Sequence, residues 1–245
     1  MDLAIVSKGA GRLRRTLVRG VAFAFLLLPS YALLAYVLLP AAWRLPASRL
    51  LAPPAERVTF TEEGIPSDPL NVGLVGSRTD VILAMRRAGW VAADPIGWRS
   101  GIRDAHSVLF GRPYASAPMS TQFLWNRPQD LAFEKTVGGS PRRRHHARLW
   151  RASRPPEASA TLWIGAATYD LNVGVSRYTG EVMHHIDRDV DAERGRLFSD
   201  LDGAGAIAEV DRVERYRPAG TGRNGAGDIY ESDGALLVGT LAPER

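Results

Sequence analysis

The longest apolar run in the chain lies near its start, from Val21 to Ala42, and contains no charged residue. As a helix, its 22 residues would measure about 33 Å, enough to cross a hydrocarbon core of roughly 30 Å. Pro29 falls near the middle, where a membrane helix tolerates a kink. Tyr36 and Trp43 suit the membrane interface at the far end. The pattern therefore predicts a transmembrane helix over residues 21–42.

A cleaved signal peptide is the alternative interpretation of this run. It would need an apolar core of about 7–15 residues and a small-x-small cleavage site. The run is longer, and Pro40-Ala41-Ala42 is a poor site, so the sequence favours an uncleaved signal-anchor. Five Lys/Arg residues precede the run and three follow it closely. The positive-inside rule then predicts a cytoplasmic N-terminus and an extracytoplasmic C-terminal domain, anchored in a bacterial inner membrane.

The rest of the chain divides into flanks and one globular domain. Residues 1–20 are predicted to be a basic cytoplasmic tail. Residues 43–69 contain prolines at 46, 53, 54, 66 and 69, which favours an extended tether. The globular domain is predicted to occupy residues 70–245, and its substrate or partner would then lie at or near the membrane surface.

Short apolar segments alternate with turn residues through the globular part. One helix is predicted to begin at Ser77, with Asp80 completing a capping box, and to end at Gly89. Two more are predicted at Asp104–Phe110 and Val190–Leu201. Strands are predicted at Asn71–Val75, Gln122–Trp125, Asp130–Glu134, His145–Arg151, Thr161–Tyr169, Val173–Ser176, Val182–Ile186, Ile207–Tyr216 and Ala235–Leu241. Strands dominate without strict alternation, so the predicted fold is α+β with a largely antiparallel sheet.

Charge and composition exclude several kinds of chemistry. The chain contains no cysteine, which excludes disulfides, thiolate metal sites and cysteine nucleophiles. Its net charge is +5, which by itself would suggest a nucleic-acid partner. However, residues 1–57 hold eight basic and two acidic residues, whereas residues 58–245 hold 23 basic and 24 acidic ones. The basic surplus flanks the apolar run, so the sequence predicts a membrane lipid partner and no nucleic-acid partner.

Four of the five histidines form two adjacent pairs, His145-His146 and His184-His185. Neighbouring residues of a strand point to opposite faces, so each pair can give at most one imidazole to a shared site. We expect one histidine from each pair to converge with Asp187 or Asp189. Two imidazoles and one carboxylate suit a divalent metal such as Zn, Mn or Fe, which could activate a bound water. The alternative is that these histidines are packing or surface residues and that Asp189 or Asp191 only caps the helix that begins there.

Further candidates lie beside the histidines. A cationic stretch surrounds the first pair, with arginines at 142, 143, 144, 148, 151 and 154, and could bind phosphate groups or anionic lipid heads. Within it, Arg143 or Arg144 would be the clamp for a phosphate group. The alternative role of the stretch is a solvated turn and strand face. Glu193, shortly after the second pair, would be the general base of a hydrolytic site.

Six segments of the globular part form a recognisable set: Asp68–Gly76, Gly111–Tyr114, Asn126–Lys135, residues 140–150, Trp163–Asp170 and His184–Arg194. Together they resemble the LssY-like C-terminal domain family, and the resemblance covers residues from about 60 to 241. In that family the domain often follows membrane modules, including type 2 phosphatidic-acid phosphatase regions. The signature motifs of that phosphatase are absent here, so no phosphatidate activity is carried over. The resemblance implies a membrane setting and supplies no catalytic residue.

Two hypotheses of function follow. In the first, the domain is a metal-dependent, phosphoesterase-like hydrolase at the cell envelope that acts on a phosphorylated or lipid-like substrate. In the second, it is a non-catalytic accessory domain that recognises lipid, polysaccharide or a secretion partner.

Overall fold

The computed structural model describes residues 25–43, 57–94, 106, 114, 116–117, 119–138, 142–152 and 161–243. The first described element is helix α1, Phe25–Trp43, which has a π-helical turn at Leu34–Leu38. It has a mean hydropathy of 1.9 and is mostly exposed. The helix is therefore long and apolar enough to cross a membrane, as the apolar run predicts; a signal sequence near the N-terminus would share both properties.

Two further helices and fourteen strands make up the described part of the globular region. The helices are α2, Arg78–Arg87, and α3, Val190–Gly203. The strands are β1 Val58–Phe60, β2 Pro66–Pro69, β3 Val72–Val75, β4 Val91–Ala92, β5 Phe123–Leu124, β6 Arg127–Pro128, β7 Leu131–Thr136, β8 Arg144–Arg151, β9 Leu162–Val175, β10 Val182–Ile186, β11 Ile207–Val213, β12 Gly220–Arg223, β13 Ile229–Ser232 and β14 Leu236–Leu241.

The main sheet has the strand order β11-β14-β3-β9-β8-β7-β4, and β10 pairs with the far end of β9. Only β14 and β3 pair in parallel, whereas the other neighbours in this sheet are antiparallel. A smaller sheet has the order β2-β1-β5-β6, and β12 pairs with β13. The predicted α+β fold with a mostly antiparallel sheet is confirmed.

Helices α2 and α3 cover one face of the main sheet and enclose the principal core. Leu74, Met85, Phe133, Leu149 and Leu197 are each at most 1% exposed in this core. The predicted capping box of α2 is present, because Ser77 accepts from the Asp80 amide and Asp80 accepts from the Ser77 amide. Burial of this apolar layer is the main force that holds the helices on the sheet.

The smaller sheet covers the opposite face of the main sheet. Leu124 of β5 packs with Trp150 of β8 and Ile164 of β9. Trp150 also donates through Nε1 to the carbonyl of Arg127. Because both faces are covered, β8 is buried along nearly its whole length, from Arg144 to Trp150.

The structure revises the predicted tether and one predicted strand. Residues 58–69, assigned to the tether, form β1 and β2, so the folded domain begins before residue 70. The predicted strand at Val173–Ser176 is the end of β9, which is longer than its apolar pattern suggested. The predicted helix Asp104–Phe110 lies, apart from His106, outside the described residues.

Candidate functional site

Strand β8 divides its side chains between the two covered faces of the sheet. His145, Ala147 and Leu149 face the helices, whereas Arg144, His146 and Arg148 face the smaller sheet. The register with the neighbouring strands pairs His146 with Glu134 of β7 and with Thr168 of β9. It also pairs Arg144 with Asp170 of β9. Since residues two apart share a face, polar side chains of three strands meet on the side away from the helices.

A register shift brings His184 of β10 to the same side. His185 pairs with Asn172 and Ile186 pairs with Asp170, so Leu171 is left as an extra residue in β9. Such a bulge changes which side chains share a face. His184 then lies beside Asp170. The centroid of its ring is 6.2 Å from the centroid of the His146 ring, and the two rings are nearly perpendicular.

These residues line a cavity of about 170 Å³, which is room for several waters or for a small anionic group. Its polar wall contains Asp68, Arg144, His146, Arg148 and Asp170. Its apolar wall includes Val182, Met183 and Ile186 of β10 together with Met119 and Ala226. The cavity is thus polar on the sheet and apolar along one edge strand.

Asp170 is the central carboxylate of the cavity. Its Oδ2 lies 3.1 Å from Nδ1 of His146 and 3.8 Å from Nδ1 of His184. Although the first separation is short enough for a hydrogen bond, this oxygen has no hydrogen-bond partner of suitable geometry among the described residues. Nε2 of His146 is likewise buried without a hydrogen-bond partner there. Buried polar atoms without a hydrogen-bond partner are uncommon, and they often mark a catalytic site or a site that binds a water or an ion.

Burial shifts the pKa values of the central pair in opposite directions. Desolvation raises the pKa of Asp170 well above its ordinary value and lowers the pKa of His146 well below its ordinary value. The nearby Arg148 opposes the rise at Asp170 and contributes to the fall at His146. Both directions favour the uncharged forms, a protonated carboxyl group beside a neutral imidazole.

The two cavity arginines are held by buried carboxylates. Arg148 lies 3.1 Å from Asp68 and Arg144 lies 3.4 Å from Glu134, all four being at most 6% exposed. Arg148 also donates to the backbone and side chain of Ser120. These contacts fix two guanidinium groups at the cavity wall, where an oxyanion could approach them.

The histidines that do not face the cavity have other partners. His145 contacts Glu193 of α3 at 2.8 Å on the helix-covered face, and burial raises the pKa of Glu193. His185 contacts Asp228 at 2.7 Å. Glu193, the predicted general base, is therefore on the wrong side of the sheet to reach the cavity.

The predicted carboxylate ligands are also engaged elsewhere. Asp189 caps α3 by accepting from the amides of Asp191 and Ala192. Asp187 accepts from the amide of Asp189. Of the two predicted phosphate clamps, Arg144 lines the cavity and Arg143 is exposed. The structure thus brings together His146, His184 and Arg144 from the predicted set and supplies Asp170 in place of the two expected aspartates.

The donors for a metal ion are only partly assembled. Within the described part of the chain, no group of three or more His, Asp and Glu side chains is arranged to hold a metal ion. His146, His184 and Asp170 come nearest to the expected set of two imidazoles and one carboxylate, and a metal ion would bind them with His146 neutral and Asp170 ionised.

The family model of the LssY C-terminus matches residues 53–236. The chain belongs to this family. The match runs from before β1 to the start of β14 and includes every residue of the cavity, so the LssY C-terminal domain begins earlier than residue 70, in agreement with the fold. No curated protein and no solved structure gave a significant match.

Asp68, Glu134 and Asp170 of this LssY C-terminal domain were not among the predicted site residues, and Arg148 was predicted only as part of the cationic stretch. One local signal could have indicated some of them. Polar residues recur at every second position in β8, at 144, 146 and 148, and in β9, at 168 and 170. In strands that are otherwise apolar, such a polar stripe predicts a buried polar face.

Proposed function

We propose that this domain is a phosphoester hydrolase at the cell envelope and that the cavity between β8, β9 and β10 is its active site. The observation that carries the proposal is the contact of Asp170 with His146 and His184, inside a cavity whose wall also presents Arg144 and Arg148. Acid–base groups and fixed cations in one cavity are what hydrolysis of a phosphoester requires.

Each residue has a role in this proposal. His184 has the most exposed side chain of the three central groups, at 24%, and accepts a proton from water as the water oxygen attacks phosphorus. The P–O ester bond breaks, and the leaving oxygen takes the proton that Asp170 carries. His146 orients Asp170. The proton then returns from His184 to Asp170, while Arg144 and Arg148 balance the charge on the phosphoryl oxygens.

A divalent ion defines an alternative form of this proposal, in which the same residues bind a metal instead of acting as acid and base. With the Asp170 carboxyl group ionised, His146, His184 and Asp170 would hold Zn, Mn or Fe, because they are the donors that face one another across the cavity. A bound ion would lower the pKa of a bound water. Elemental analysis of the full chain, purified in detergent, tests this: about one ion per chain is expected, and its loss is expected in His146→Ala.

We also infer that α1 anchors the domain in a bacterial inner membrane, with the N-terminus in the cytoplasm. Its support is the length and hydropathy of α1 and the five basic residues before it. Fusion of a periplasm-active reporter after residue 243 should give activity. Activity of a fused reporter that works only in the cytoplasm would instead show that the orientation is the opposite one.

The activity itself is tested with the full chain in detergent on p-nitrophenyl phosphate and bis-p-nitrophenyl phosphate. Turnover is expected in the native chain and is expected to be lost in His184→Ala. His185→Gln is the matched control, because His185 is adjacent in sequence but contacts Asp228 away from the central pair. Equal turnover in both variants would place the reaction elsewhere. Binding of a phosphorylated ligand without turnover would instead support the non-catalytic recognition domain.

A further inference from the structure

The turn that joins β9 to β10 is fastened to the apolar helix α1. Tyr31 donates through its hydroxyl to the carbonyl of Gly180 at 2.6 Å, and the Tyr36 hydroxyl accepts from the amide of Val182 at 3.0 Å. Trp43 donates through Nε1 to the carbonyl of Tyr178 at 3.2 Å. These contacts run along α1 from residue 31 to residue 43, a length of about 18 Å.

The packing between the two elements is close. The rings of Trp43 and Tyr178 meet edge to face with centroids 5.3 Å apart. Gly180 has a φ of +78°, and a Cβ there would already touch Ala35 and Leu39 of α1. Ala35 is 2% exposed although it belongs to an otherwise exposed helix. Any membrane that surrounds α1 therefore also reaches the turn between β9 and β10.

The same hairpin presents apolar side chains to the outside. Val175 and Val182 are cross-strand partners and are 51% and 55% exposed. Leu171, the extra residue of β9, is 41% exposed. Tyr and Trp side chains, which α1 places beside the hairpin, are the residues that prefer a membrane interface. The hairpin thus adds an apolar surface beside an aromatic one.

This surface is continuous with the apolar wall of the cavity. Val182 takes part in both, since it is half exposed and also lines the cavity with Met183 and Ile186. The opposite wall carries Arg144 and Arg148. A ligand that enters along β10 would meet apolar side chains first and guanidinium groups last, which matches the order of acyl chains and phosphate in a lipid.

We propose that the tip of the β9–β10 hairpin lies in the membrane beside the second half of α1, from Tyr31 to Trp43, and that the substrate of the cavity is a phosphorylated membrane lipid. The second half rests on the proposed hydrolase function, whereas the first half does not. A bilayer is the occupant of this surface because the surface is tied to the one helix among the described residues that is apolar enough to cross it.

The position of the hairpin is tested by labelling, for which a chain without cysteine is well suited. Single variants Val175→Cys and Val182→Cys are reconstituted in phosphatidylcholine vesicles and spin-labelled. Both labels should be accessible to oxygen and shielded from an aqueous nickel chelate. Val213→Cys is the control, because Val213 is 43% exposed on the edge strand β11. Equal exposure of all three labels to the chelate would overturn the proposal.

The substrate class is tested by comparing phosphatidate in phosphatidylcholine vesicles with glycerol 3-phosphate in solution, which carries the same phosphate without acyl chains. The native chain should release phosphate faster from phosphatidate. Val175→Asp should lower that rate about tenfold, because an ionised carboxylate is disfavoured at a membrane interface, and should leave hydrolysis of p-nitrophenyl phosphate in detergent unchanged. Val213→Asp should alter neither rate.

The outcomes separate the two proposals. Hydrolysis of p-nitrophenyl phosphate with no preference for phosphatidate, or with no effect of Val175→Asp, would overturn the lipid substrate and retain the hydrolase. Absence of turnover on every phosphoester would overturn the hydrolase and the lipid substrate together, and the spin labels would still decide whether the hairpin contacts the membrane.

Discussion

Oδ2 of Asp170 lies 3.1 Å from Nδ1 of His146, and both side chains are buried. The two residues come from adjacent strands and are offset by two positions, since His146 pairs with Thr168 and Arg144 pairs with Asp170. Their contact is therefore diagonal across β8 and β9. It depends on the strand register and on no feature of either strand alone.

Replacement of Asp170 by asparagine should remove the proton that the proposed reaction takes from this carboxyl group. The Asp170→Asn side chain keeps the volume but cannot protonate a leaving oxygen, so turnover of p-nitrophenyl phosphate should fall by about 10²-fold. Asp187→Asn is the control, because the Asp187 carboxylate accepts from the Asp189 amide. If Asp187→Asn lost more turnover than Asp170→Asn, the result would support the site predicted from sequence and contradict the proposed site in the cavity.

Replacement of Arg148 by alanine should destabilise the domain strongly. The change leaves Asp68, which is 3% exposed, without its cation. Removing one partner of a buried ion pair costs about 3–5 kcal/mol. The free energy of unfolding, measured by urea titration of the full chain in detergent, should fall by that amount.

Arg188→Ala is the comparison for this loss. Arg188 and Glu231 also form an ion pair, but both side chains are more than half exposed. Water replaces such contacts readily, so the urea midpoint should hardly move. If both variants lost the same stability, burial could not be the reason for the effect at Arg148.

The stability of Glu193→Gln should depend on pH in a defined direction. Burial raises the pKa of Glu193 above 4.5 in the folded chain, so the folded state holds more protons than the unfolded state above that value. The contribution of Glu193 to the stability of the folded state is therefore fully present below pH 4.5, and it is lost as the pH rises through the pKa of the folded state. A glutamine side chain cannot ionise, so the variant should gain stability relative to the native chain as the pH rises above 4.5.

Thermal unfolding followed by circular dichroism at several pH values measures this difference. The native chain and the variant should differ least at the acid end. A difference that grows towards acid pH would mean that the contact with His145 outweighs the desolvation of Glu193.

Replacement of Ser77 by alanine tests the one local structure that the sequence predicted in atomic detail. The side chain of Ser77 accepts from the Asp80 amide at 3.1 Å. Loss of such an N-cap costs about 1 kcal/mol. The urea midpoint should fall accordingly, and turnover should not change because α2 covers the face of the sheet that is away from the cavity. An unchanged midpoint would mean that tertiary packing alone holds the start of α2.

Much of the fold follows from local patterns along the chain. The capping box fixed the start of α2, the apolar stripe placed α3, and the alternation in β8 separated His145 from His146. Each of these depends on residues at most a few positions apart, and the period of a strand or helix is a property of the backbone itself. For the same reason, the limit of one cavity imidazole from each histidine pair could be stated before the strands were placed.

The partners across the sheet could not be predicted in this way. The cavity carboxylate is Asp170 and not the predicted Asp187 or Asp189. Which side chains meet there depends on the register of β9 against β8 and on the extra residue Leu171 opposite β10. Glu193 is near the second histidine pair in sequence, but the helix that carries it packs on the other face of the sheet.

The sequence by itself determined an apolar helix and an α+β domain of the LssY C-terminus family. It also determined that the two histidines of each adjacent pair point to opposite faces of their strand. Only the tertiary structure decided that β1 and β2 belong to the domain, that His146 and His184 share Asp170, and that the β9–β10 hairpin rests on α1. Periodicity and capping are short-range effects of backbone geometry. Register and packing between distant segments minimise the energy of the whole chain at once, and no local pattern encodes their outcome.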